Sequence, residues 1–149
     1  MDIQTGGFLR LEIGTAGSVV STTWKAVPSI NSFITSGSSA EVIDVDQFDS
    51  QWNRTLIGHK STPPIDIVLN YIADNEQHKA LDGYAVSNKP LQIRISYFDS
   101  SDMVTGFYIV YNGRISSDTV AGGRDEVLTK TYTFNVDAGP VATGVLTTK

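Results

Sequence analysis

Cysteine is absent from this 149-residue chain, which excludes disulfides and thiolate metal sites and leaves burial or assembly to supply stability. No apolar run approaches the roughly twenty residues a helix needs to cross a bilayer. The amino terminus, MDIQTGGFLRLEIG, lacks the basic start and apolar centre of a signal peptide. No membrane partner is therefore expected, and synthesis in a cytoplasm is. Histidine occurs only at His59 and His78, without zinc spacing or partners, and both read as exposed residues of a loop and a helix surface. Basic residues are outnumbered, 11 against 16 acidic, for a net charge of −5; such a chain lacks the cations that ordinary nucleic-acid binding uses to replace counterions on phosphates.

Motifs of chemistry are as scarce. There is no GxSxG turn to present a nucleophile, and the pairs Gly6-Gly7 and Gly122-Gly123 read as turns rather than a phosphate cradle. Asp44, Asp46 and Asp49 cluster as carboxylates do in metal or acid–base sites. They lack the glycine and closing glutamate of a calcium loop, and on a strand Asp44 and Asp46 would lie side by side as a charged wall. No catalytic residue, metal site or cofactor is expected, and the chain does not read as an enzyme.

What the sequence does have is alternation. Its length suits one domain spanning residues 1–149. Ile65, Ile67, Leu69 and Tyr71 share one face of a strand, and Leu91, Ile93, Ile95 and Tyr97 share another, opposed by a wet face of Gln92, Arg94 and Ser96. Tyr132, Phe134 and Val136 with Leu128 form a third such face, interrupted by Lys130. The run at 105–111, TGFYIVY, is apolar on both faces and reads as a central strand, after a turn at 99–102. Further strands are expected at 8–13, 24–27, with Trp24 in the core, and 40–45. One helix is expected to start at Asp74 as its N-cap, with Gln77 completing a capping-box-like arrangement and Leu81, Tyr84 and Ala85 forming its apolar stripe. The predicted fold is mainly β: a sandwich or barrel of antiparallel strands with one flanking helix.

Two features fit poorly into a lone subunit. Residues 1–7 and 138–149 are short of large apolar groups and read as flexible arms. Residues 35–64 form a polar excursion, with a long loop expected at about 45–62, yet they carry Val42, Ile43, Val45, Phe48, Trp52, Leu56 and Ile57. Loops of that length inside a compact domain are usually disordered or functional, and apolar residues in one imply a partner surface. Phe48, Trp52, Arg54, Leu56, Ile57, His59 and Lys60 are the candidate contact residues, with Trp52 as anchor.

The order of these landmarks resembles the tail tube (major tail) proteins of phages with long, non-contractile tails, of the lambda type. The match runs from the amino-terminal strand, through residues 24–49 and the loop with Trp52 and Gly58-His59-Lys60-Ser61, to the strand at 66–71. It continues through the helix around Glu76-Gln77-His78-Lys79-Ala80-Leu81, the strands at 91–97 and 105–111, and the closing strand at 127–135. The resemblance implies a structural virion protein, made in the host cytoplasm, that forms homo-hexameric rings stacked into a hollow tube. It implies tape measure and terminator or tip proteins as partners, and DNA passing through the lumen without specific binding. On that reading Asp44, Asp46, Asp66, Asp99, Asp102 and Asp118 are candidate lumen acids. A tail terminator or baseplate adaptor on the same fold is the nearest alternative, with a carbohydrate-binding β-sandwich and a small hydrolase behind it.

Overall fold

The computed structural model describes residues 8–49, 51–99 and 102–146. Eight strands and one helix follow in the order β1 (Phe8–Thr15), β2 (Lys25–Val27), β3 (Ser39–Val45), β4 (Arg54–Ser61), β5 (Ile65–Asn70), α1 (Glu76–Ser87), β6 (Leu91–Phe98), β7 (Gly106–Ala121) and β8 (Thr129–Leu146). Six of them make an antiparallel sheet in the order β2-β1-β6-β7-β8-β5, while β3 and β4 pair only with each other. Alternation drives the sheet to curl around one face. Leu11, Ile13, Ile65, Ile67, Leu69, Leu91, Ile93, Ile95, Tyr132 and Phe134 are all buried there. The curl brings the two outermost strands together: past β2, Asn31 donates its N–H to Val68 O (2.9 Å) and Asn70 donates to Ser29 O (2.8 Å), bridging to β5.

The expected strands at 8–13, 40–45 and 91–97 lie within β1, β3 and β6, and the one expected at 65–71 is β5 without Tyr71. Four details differ. The helix is capped by Asn75, not Asp74: Asn75 is extended (φ −74°, ψ 132°), and its Oδ1 accepts from the N–H groups of Gln77 and His78. The second face of β6 is largely dry: Ser96 is buried, Arg94 is partly covered, and residues 17–21 fold over Gln92. Gln92 is buried there, accepting from Ser21 N–H (2.7 Å) and donating to Asn112 Oδ1 (3.0 Å) and Val19 O (3.2 Å). Trp24 lies just before β2, half-buried, with the Arg94 guanidinium 4.7 Å above its ring. Of the expected arms, residues 1–7 and 147–149 lie outside the described residues; 138–146, however, continue β8, hydrogen-bonded to β7 from Gly106↔Leu146 onward. Small residues and Pro140 hid that strand, which tolerates the proline because register shifts there interrupt the ladder and no strand pairs on its far side.

Close packing at the sheet centre explains Gly113, which sits where β7 passes between β6 and β8. A Cβ there would run into Asn135 O and approach Phe134 Cζ to 2.8 Å. Gly113→Ala is expected to cost about 3 kcal/mol, lowering the melting temperature by roughly 10 °C. Gly122→Ala in the β7–β8 turn, where the nearest atom would be 3.4 Å away, should change it little. Equal melting temperatures for the two variants, read by circular dichroism, would contradict this packing.

Candidate assembly surfaces

The polar excursion folds into a hairpin. The second half of the stretch expected as a loop at 45–62 is strand β4, paired with β3 through Val45↔Arg54, Asp44↔Thr55, Ile43↔Leu56 and Val42↔Ile57. A register shift follows, where Gly58 and His59 oppose Glu41, before Ala40↔Lys60 and Ser39↔Ser61 close the base. Opposed residues share a face, so Val42, Asp44, Thr55 and Ile57 line one side and Ile43, Val45, Arg54 and Leu56 the other. Both sides are therefore apolar in part, and Val42, Ile43, Leu56 and Ile57 are all exposed. At the tip Phe48 is 110% and Trp52 80% exposed. Arg54, His59 and Lys60 are exposed as well, so the structure gathers all seven candidate contact residues on this one element.

Among the described residues two strand edges have open stretches. Pairing of β7 with β6 stops at Gly113, so beyond Arg114 the β7 edge facing away from β8 has no strand against it. Pairing of β8 with β5 covers only Thr129 to Phe134; along the rest of that β8 edge no described strand pairs, although the Thr62 hydroxyl donates to Ala138 O at 3.4 Å. Unpaired edges are templates for another chain.

The candidate acids do not form one surface. Asp44 and Asp46 lie on or just past β3, Asp99 and Asp102 in the β6–β7 connection, Asp66 on β5 and Asp118 on β7. Asp66 opposes Thr133 and accepts its hydroxyl at 3.2 Å; Asp118 opposes Tyr132, the adjacent position of β8. Adjacent positions point to opposite faces, so Asp66 and Asp118 do not share one. Asp118 instead pairs with Lys130 at 3.3 Å.

Lys130 is the centre of a polar cluster that the alternation registered only as an interruption. Its Nζ donates to Asp82 Oδ1 (2.6 Å), which also accepts from Tyr132 OH, while Tyr71 OH donates to Asp82 Oδ2, both at 2.5 Å. The cluster ties helix α1 to β8 and to the end of β5. Burial works against the Asp82 carboxylate, but these hydrogen bonds outweigh it and hold its pKa below the ordinary value. Burial, then the bond to Asp82, pushes the Tyr132 hydroxyl far up; for Tyr71 the Asp82 bond is the larger cause. His78, expected at the helix surface, is fully buried: Nδ1 accepts from Ile72 N–H (3.0 Å), so Nε2 carries the proton toward Pro28 O (2.9 Å). It clasps the helix to the segments after β2 and β5. Only its position in the first turn of the helix, one residue past Gln77, hinted at contact with the chain below. Among the described residues no three His, Asp or Glu side chains gather as metal ligands, and no helix is long and apolar enough to cross a membrane.

No protein-family profile and no curated sequence matches the chain. Solved structures do. The tail of an empty gene transfer agent particle, determined with helical refinement in C6 symmetry, aligns over 97% of this chain and 100% of its own at TM-score 0.70 and 15% identity. The SPP1 tail tube aligns over 98% of this chain and 80% of its own, at TM-score 0.66 and 10% identity. The fold is that of tail tube proteins. Hcp protein shares it more distantly, at TM-score 0.56 and 9% identity over 92% of this chain and 98% of its own. The tail tube fold accounts for the mainly β, curled antiparallel sheet with one helix, and at these identities the likeness is one of architecture.

Proposed function

We propose that this chain is a structural virion protein that polymerises as stacked hexameric rings into the hollow tube of a long, non-contractile, lambda-like phage tail. The observation that carries the reading is the β3–β4 hairpin: apolar on both sides, aromatic at its tip, and paired with no strand of the main sheet. A monomer has no use for it, whereas a neighbouring subunit would bury it. The open edges of β7 and β8 support the same reading, since one can extend into the other across subunits to continue the sheet around a ring. So does the C6 tail among the similar structures. Tape measure and terminator or tip proteins are the partners on this reading, and DNA crosses the lumen without specific binding.

An acidic wall suits such a conduit, because like charge keeps phosphates from adhering within about a Debye length, roughly 8 Å at physiological salt. Asp44, Asp46, Asp66, Asp99 and Asp102 remain candidates for it; Asp118, paired with Lys130 on the other face from Asp66, is the weakest. The deciding experiment is negative-stain electron microscopy of the purified protein, in which long hollow tubes are expected. Single rings that never stack would favour a terminator or baseplate adaptor on the same fold, and monomers at every concentration would overturn the proposal.

A further inference from the structure

The six-stranded sheet carries an apolar row in which Leu9 is half-buried, Tyr97 buried, and Phe107 and Val145 exposed. Register aligns Leu9, Tyr97, Phe107 and Val145 across β1, β6, β7 and β8. The rings of Tyr97 and Phe107 stack at 5.0 Å, and Phe33 tilts onto Tyr97 at 5.4 Å. Val145 is 65% and Phe33 49% exposed, and Phe107 is exposed beside them. This row caps the rim of the core where the described chain both starts and stops, since Phe8 and Leu146 lie in the next row.

We infer that this rim is the acceptor for the β3–β4 hairpin of a second copy of the chain. The inference rests on the tube reading and names the surface that reading leaves open. Size agrees: Phe107 and Val145 lie on neighbouring strands about 4.8 Å apart, the spacing of a two-stranded ribbon, and Phe33 widens the exposed patch beside them. Phe48 and Trp52 present about 150–250 Å² each. With the aliphatic side chains beside them they approach the roughly 500 Å² per partner that a specific contact requires. The other exposed apolar group, Val120, Val127 and Leu128 around the β7–β8 turn, is aliphatic only and borders the charged Arg124, Asp125 and Glu126. Donor and acceptor are different surfaces of one subunit, so the contact is head-to-tail and repeats without limit unless the rotation closes it. They are also linked within the subunit. Tyr97, in the acceptor row, donates its hydroxyl to Ile34 O at 2.8 Å and lies 3.2 Å from Ser36 Oγ, fixing the segment that enters the hairpin at Ser39.

Because the chain has no cysteine, the contact can be trapped. The variant Gln51→Cys/Val145→Cys, assembled and treated with a short bis-maleimide, should give a ladder of covalent multimers on a denaturing gel. Each single variant should give none beyond a dimer. Tubes visible by microscopy with no ladder, a ladder only with Gln51→Cys/Val127→Cys, or cross-linking that stops at dimers in the double variant would each overturn the assignment while leaving the tube intact. Wild-type protein that forms neither rings nor tubes would overturn both. As a second arm, Val145→Asp should lower tube yield at least tenfold while the monomer melts within about 2 °C of wild type, the usual reach of a surface substitution. Undiminished yield would remove the rim from the contact.

Discussion

Replacing residues 40–60 by a two-glycine turn should leave a folded monomer that no longer makes tubes. The monomer survives because the core residues lie on the six-stranded sheet, α1 and Ile34 before the hairpin, while the hairpin forms its own two-stranded sheet from side chains that are mostly exposed. Ser39 and Ser61 already face each other at its base, so a short turn can join them. A cut of 47–58 would be less clean, since it removes half of β4 and strands its partner. Assembly fails because the deleted element carries Phe48 and Trp52. Interface anchors of this kind contribute about 2 kcal/mol or more each, so even the milder Phe48→Ala/Trp52→Ala variant should raise the critical concentration for tube formation about a thousandfold. Sedimentation of assembled from unassembled protein, with circular dichroism as the folding control, reads both halves of the expectation. Wild-type tube yield from the deletion would dismiss the hairpin as an assembly element.

The parts of the fold that declare themselves in the sequence are those where one side of a strand is dry. Ile65, Ile67 and Leu69, or Leu91, Ile93 and Ile95, alternate because a core lies on one side only. β4 has no dry side. Leu56 and Ile57 are adjacent and both exposed, so the alternation that marks a strand is missing and only the apolar content showed. The far half of β8 was hidden for a different reason. Its small residues and Pro140 have little β propensity, and it is held by the backbone ladder to β7 rather than by burial. The apolar content of the hairpin was legible because tryptophan and phenylalanine stand out in a polar stretch whatever the backbone does. The exposed rim was not, since Phe33, Phe107 and Val145 come from three separate segments. His78 and Lys130 mislead for one shared reason: a polar residue inside a fold looks like a surface residue until its hydrogen-bond partners are known.

Those partners set the last expectation, that Asp82→Asn destabilises the subunit and removes part of its acid sensitivity. Asp82 accepts from Lys130, Tyr132 and Tyr71 at once, and Lys130 is nearly buried, its side chain 10% exposed. Removing the charge leaves Asp118 as the one acidic partner of Lys130 among the described residues, more distant and 45% exposed. Breaking a fully buried pair costs about 3–5 kcal/mol; with Asp82 about a quarter exposed (26%), roughly 2 kcal/mol is the discounted expectation, or a melting temperature lower by about 4–8 °C at pH 7. The sign of the pH dependence follows from the direction of the shift. Asp82 titrates lower in the folded chain than unfolded, so its contribution is complete above the unfolded value of about 3.9 and is lost as pH falls through the folded one. Tyr71, Tyr132 and Lys130 are shifted the other way, upward, so their share is complete below the unfolded values of about 10 and is lost only in strong alkali. The gap in melting temperature between wild type and Asp82→Asn should therefore stay level from about pH 5 to 9 and narrow below about pH 4. A gap that persists unchanged to pH 2.5, or none at pH 7, would show that the cluster does not hold α1 to the sheet through the Asp82 charge.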